Sequence, residues 1–77
     1  MAHTAIRTIH AEMVASVHTV AVEVGEAIEA GATLVVLESM KMEIPVLADV
    51  AGTVAEVMVS VGDVVQEGDA LVAISDR

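Results

Sequence analysis

The residues best suited to chemistry lie in one short run, Glu38-Ser39-Met40-Lys41-Met42-Glu43. Lys41 is the single lysine of the 77-residue chain. A lysine that acts as a nucleophile in its own right is usually buried or set beside other cations, which favour its neutral form. Lys41 is placed instead between two glutamates, in a stretch that reads as the tip of a hairpin, with Ser39 to Lys41 as the turn. The run therefore describes an acceptor amine, modified by another enzyme that brings an activated acyl group. Met40 and Met42 flank that tip. Two thioethers cannot easily be buried together there, so both are expected to be partly exposed and read by the modifying enzyme, with a core role open for one of them. Glu38, Ser39 and Glu43 complete the candidate recognition surface.

No other constellation competes. The chain has no cysteine, so thiolate metal sites and disulfides are excluded. His3, His10 and His18 lack the dense spacing of metal ligands; His10 and His18 read as ordinary strand residues and His3 as part of a tail. No catalytic residue is expected, because no Ser-His-Asp or paired-carboxylate spacing is present. A net charge of −9 and the absence of Phe, Trp and Tyr exclude nucleic acid, since phosphates would be repelled and bases would find no stacking surface. The acidic residues read mainly as solvating groups that also steer basic partners. No apolar run approaches the roughly 18 residues of a membrane span. Residues 1–10 lack the apolar centre of a signal peptide. A cytoplasmic location and no membrane partner are expected.

The elements that must position Lys41 come from an internal repeat. Residues 15–38 align without a gap on residues 52–75. Val17 falls on Val54, Val20, Val22 and Val24 on Val57, Val59 and Val61, Gly25 on Gly62, and Gly31 on Gly68. Lys41 lies just past the first copy, at the junction. The alternating valines predict strands with one buried face. His18-Thr19 and Ala55-Glu56 break that alternation at equivalent places, which predicts a β-bulge in each half. Gly25, Gly31, Gly62 and Gly68 read as turns, and Gly52 is grouped with them. Strands are expected at 34–38 and from about 42, with Pro45 of the latter at an edge or a strand end because it lacks an N–H. Two copies cannot form a solenoid, so they are expected to close on each other as a sandwich with approximate two-fold symmetry. Residues 1–8 read as a short mobile tail and 9–77 as one domain, either free-standing or cut from a larger protein. A chain this small buries only about 60% of its unfolded surface. Its 56% hydrophobic content, mostly small and branched, must supply all the stability.

The run Glu38-Ser39-Met40-Lys41-Met42 resembles the attachment motif of biotinyl domains, the family that includes biotin carboxyl carrier proteins. Val24-Gly25-Glu26, Val61-Gly62-Asp63 and Ala51-Gly52-Thr53-Val54 resemble further segments of that family, and the similarity spans about residues 9–75. The resemblance implies an all-β flattened barrel, or barrel-sandwich hybrid, of two four-stranded antiparallel sheets with quasi-two-fold symmetry and the lysine at a hairpin tip. It implies biotin as the cofactor, joined to Lys41 by a biotin protein ligase. It also implies that biotin there carries carboxylate between a biotin carboxylase and a carboxyltransferase, so that the chain is a carrier and not an enzyme. Ser39 replaces the commoner Ala, Ile44 a frequent Thr or Asn, Asp49 a frequent Pro, and Ala15 a Gly. No inserted thumb is present. A lipoyl-type acyl carrier is the alternative, but Met40 and Met42 stand where lipoyl domains usually have Asp and Ala. An unmodified interaction module on the same fold would normally lack the lysine and carry a long helical insertion.

Overall fold

The computed structural model describes residues 5–76. Eight strands follow one another: β1 Ile6–His10, β2 Ala15–Val20, β3 Ala27–Ile28, β4 Thr33–Ser39, β5 Met42–Leu47, β6 Gly52–Val57, β7 Val64–Val65 and β8 Ala70–Ser75. They form two four-stranded antiparallel sheets, ordered β1-β8-β6-β3 and β5-β4-β2-β7. The repeat maps β2, β3 and β4 onto β6, β7 and β8. Each sheet thus takes two long strands from one half and its short strand from the other, and the two orders are equivalent. This is the all-β sandwich expected from the repeat.

The core is aliphatic. Leu34, Val35 and Leu37 of β4 meet Leu71, Val72 and Ile74 of β8, with Val17 and Val54 between them, and all eight are fully buried. Fully burying a Val, Leu or Ile side chain contributes roughly 1.5–3 kcal/mol. No polar side chain is buried among the described residues, so none of this gain is offset by desolvated charge. The valine pattern is buried only in part. β2 and β6 end at Val20 and Val57, Val22 stays buried, but Val24 is 65% and Val61 66% exposed. The chain has left the sheet by then, and each of these valines sits inside a turn, just before the turn glycine.

Both expected bulges are present. The β2–β4 register shifts between Val17 and Thr19, and the β6–β8 register shifts between Val54 and Glu56. The bulges free backbone groups that turns of the opposite half then bond. Gly25 N–H donates to the Val54 carbonyl at 2.7 Å, and Gly62 N–H donates to the Val17 carbonyl at 2.9 Å. In return Val54 N–H donates to the Glu26 carbonyl at 2.9 Å, and Val17 N–H to the Asp63 carbonyl at 2.8 Å. Gly25 and Gly62 have φ of +92° and +95°, as the third position of a type II turn requires. The turns are closed by Glu26 N–H to the Glu23 carbonyl and Asp63 N–H to the Ser60 carbonyl, both at 3.0 Å. The Glu26 and Asp63 side chains accept from the N–H groups of Glu23 and Ser60.

Two sequence expectations need correction. The tail does not extend to residue 8, because β1 begins at Ile6 and pairs with β8 from Ile6↔Ser75 onward. β1 is the counterpart of β5, since the offset that carries residue 15 onto 52 carries Ile6–His10 onto 43–47, just outside the aligned copies. His3 lies outside the described residues. Gly52 is not a turn residue; it opens β6 without positive φ. Its missing side chain answers a close approach: a Cβ there would stand 2.1 Å from the Ser75 carbonyl oxygen. Arg7 of β1 pairs with Asp49 of the β5–β6 loop, Nε lying 3.0 Å from Oδ2. This bond, with the charge attraction, raises Arg7 and holds the Asp49 carboxyl below its usual range. Asp49 thus links the β5–β6 loop to β1 at a position where the family often has Pro.

Two alanine substitutions separate these roles of glycine. Gly52→Ala is expected to destabilise by about 3 kcal/mol, since a backbone oxygen cannot yield as a side chain can. Gly25→Ala meets nothing within 4 Å and is expected to cost only about 1 kcal/mol, from the left-handed backbone. Urea unfolding of both variants measures the difference. Equal costs would contradict the close-approach explanation for Gly52.

Candidate functional site

β4 and β5 form a hairpin whose register runs from Thr33↔Leu47 to Ser39↔Met42. The turn is therefore two residues, Met40 and Lys41. It is shorter than the three-residue turn read from the sequence, because Ser39 closes β4. Met40 and Lys41 have φ of +52° and +68°. Positive φ at both central residues is the mark of a type I′ turn, which matches the twist of the flanking strands. Asn-Gly is the usual occupant, and left-handed backbone at other residues costs roughly 1–2 kcal/mol each. The hairpin accepts that cost and so holds an exposed lysine at its apex.

Met40 is 91% and Met42 61% exposed, so neither has the core role left open for one of them. Glu38 and Glu43 stand directly opposite each other, both exposed. Like charges so placed repel, and the pair keeps the flank of the hairpin acidic. Ser39 is half-buried beside Met42. Among the described residues Lys41 enters no ion pair or hydrogen bond, leaving its amine open to solvent. Pro45 sits on β5, an edge strand, where its missing N–H is harmless.

The candidate residues Glu38, Ser39, Met40, Lys41, Met42 and Glu43 are thus brought together on one projection. The turn glycines Gly25, Gly31, Gly62 and Gly68 lie in other loops and shape the scaffold. One neighbour escaped the sequence reading. His18, the extra residue of the β2 bulge, reaches across β4 and places Nε2 at 3.5 Å from Glu43 Oε2. A groove of about 400 Å³ between β1 and β5, lined by Arg7, Ile9, Met13, Ile44, Val46 and Asp49 among others, does not include Lys41. No group of three or more potential metal ligands occurs among the described residues. The described residues contain no helix long and apolar enough to cross a membrane. An exposed amine on a rigid projection, with no cleft around it, suits a tethered group that visits sites elsewhere.

The family model described as "Biotin-requiring enzyme", covering biotin and lipoyl domains, matches residues 7–74. The chain belongs to the biotin/lipoyl family. Within that family it is 61% identical over 67 residues to the biotinylated protein TB7.3 homolog of Mycobacterium leprae, covering 87% of this chain and 94% of that relative. It is 39% identical over 72 residues to the biotin carboxyl carrier protein of Streptococcus mutans, covering 94% of this chain and 55% of that relative. Its fold is similar to part of a solved single-chain, multi-domain long-chain acyl-CoA carboxylase, with TM-score 0.84 and 38% identity, over 94% of this chain and 7% of that one. Biotin/lipoyl domains such as these are carriers, not catalysts.

The turn geometry sets a stability test. Replacing Met40-Lys41 by Asn-Gly (Met40→Asn with Lys41→Gly) is expected to raise stability by about 1–2 kcal/mol by relieving the left-handed strain. Chemical denaturation reads the change. A neutral or destabilising result would show that the tip is not strained.

Proposed function

We propose that this chain is a biotin carboxyl carrier, with biotin joined to Lys41 by a biotin protein ligase. The observation that carries the reading is the isolated, exposed amine of Lys41 on a type I′ tip flanked by two exposed methionines. Attachment needs the neutral amine of Lys41. Its Nζ attacks the activated carboxyl carbon of biotin, an amide C–N bond replaces the bond to the activating group, and the amine proton is lost. Biotin then supplies a ureido nitrogen that takes up and gives up carboxylate. The chain contributes reach and rigidity. The hairpin presents the attached group beyond the sandwich, so that a biotin carboxylase and a carboxyltransferase can each admit it in turn, at high effective concentration.

Met40 and Met42 offer the ligase an apolar contact on either side of the amine, and Glu38 and Glu43 offer charge. Ser39 has the small side chain that this position needs, half-buried beside Met42. Met40 and Met42 also favour biotin over a lipoyl group. With no other lysine in the chain, no second ε-amine competes. The net charge of −9 and the lack of a membrane-spanning helix among the described residues support a cytoplasmic carrier whose partners are proteins.

Intact mass after incubation with biotin, ATP and a biotin protein ligase tests the reading. Wild type is expected to gain the mass of one biotin, and Lys41→Arg none. No gain on wild type would refute the carrier, and a gain that persists in Lys41→Arg would refute the site.

A further inference from the structure

We propose that Val14 and Val64 form an apolar patch beside the Lys41 hairpin that the biotin protein ligase covers when it modifies the chain. The inference rests on the reading of Lys41 as a ligase substrate. It begins from broken symmetry. The offset that relates the two halves sets Val14 on Ala51 and Val64 on Ala27. Val64 opens β7 and pairs with Ser16, just as Ala27 opens β3 and pairs with Thr53. All four residues are exposed, Val14 by 63% and Val64 by 70%. Alanine therefore meets the structural requirement at both positions, and the larger side chains gain little burial within the fold.

The two pairs stand at opposite ends of the sandwich. Val64, Ser16, Glu38 and Glu43 form one row across the sheet, at the base of the lysine hairpin. The equivalent row of the other sheet is Ala27, Thr53, Ser75 and Ile6. It crosses the far end, where Asp76 N–H donates to the Ala5 carbonyl at 3.1 Å. β2 and β4 are antiparallel, so the start of β2 lies beside the end of β4. Val14 immediately precedes β2 and so stands at the end that carries Met40 and Lys41. At both positions the added aliphatic surface falls on the lysine's end.

Reach decides which partner covers it. The Lys41 amine ends a four-carbon stem, and a ligase must bring its activated acyl carbon to bond-forming distance of that amine. The ligase surface therefore closes on the hairpin and on what flanks it. A carboxylase or a carboxyltransferase acts at the far end of the attached biotin, and the added length lets it stay clear of the sheet. Glu12 and Asp63 are exposed close to these valines in the chain, and Glu38 and Glu43 are exposed in the same row as Val64. The ligase surface that fits is apolar at its centre and basic at its rim. A second copy of this chain fits poorly, because each copy has a net charge of −9.

The test follows ligase-catalysed biotinylation by intact mass over a range of concentrations of unmodified chain. It compares wild type with Val14→Thr, Val64→Thr and the double variant, each checked to be folded by urea unfolding. Threonine keeps the branched shape that suits a strand and removes apolar surface. The KM for the chain is expected to rise about threefold in each single variant and about tenfold in the double, with kcat unchanged. Val14→Ile and Val64→Ile are expected to keep the wild-type KM or lower it. Val24→Thr, at a similarly exposed valine of the other half, is expected to change nothing. A double variant with the wild-type KM, a loss confined to kcat, or an equal loss in Val24→Thr overturns the proposal. So does a concentration-dependent dimer of wild type that the double variant lacks, which would assign the valines to a second copy. Failure of wild type to gain biotin would instead refute the carrier reading itself.

Discussion

The structure depends on a reciprocal exchange of backbone hydrogen bonds between its two halves. A bulge in each long inner strand leaves an N–H and a carbonyl unpaired, and a turn from the other half supplies both partners. A second set repeats the device. Gly31 N–H bonds the Ala48 carbonyl and Gly68 N–H the Ala11 carbonyl, each at 2.8 Å, and the N–H groups of Ala48 and Ala11 are taken up by the carbonyls of Ala32 and Asp69. A single such bond contributes only about 1 kcal/mol net, whereas a buried backbone group left without a partner costs about 1–3 kcal/mol. Neither half can satisfy its own backbone, so neither is complete without the other. This explains how so small a chain folds with no disulfide and no aromatic residue.

The hairpin takes its rigidity from that arrangement. β4 lies between β2 and β5 and buries Leu34, Val35 and Leu37 against the opposite sheet. A well-held β4 lets β5 remain an edge strand containing a proline, and lets the turn keep two residues in left-handed backbone. Strain persists where the surroundings over-determine it, and here it lies at the lysine. The acidic pair Glu38 and Glu43 is a second local cost on the same projection. Both costs fall where the chain is proposed to meet other proteins.

Much of this was legible in the sequence because the repeat is nearly exact in its spacing. The four turn glycines, the bulges and the lysine at the junction follow from the alignment of residues 15–38 with 52–75, and Pro45 restricts its position to an edge or a strand end. What was not legible depends on neighbours distant in the chain. Gly52 looks like a turn glycine until the Ser75 carbonyl is seen against it. Val24 and Val61 keep the strand rhythm after the strand has ended. β1 falls on β5 at the same offset, but both lie outside the aligned copies, and Ile-Arg-Thr-Ile-His matches Glu-Ile-Pro-Val-Leu at no position. His18 reads as an ordinary strand residue, since its contact with Glu43 spans an intervening strand that only the fold provides.

Amide hydrogen exchange tests the interlock most directly. The N–H groups of Gly25 and Gly62 belong to different halves, and each is bonded to a bulge in the other. They are expected to exchange with the same opening free energy, equal to that of core amides such as Val35 and Val72, while the Lys41 amide exchanges far faster. Exchange of Gly25 or Gly62 through a separate opening of low free energy would contradict the account, because it would mean that one half can release the other without unfolding.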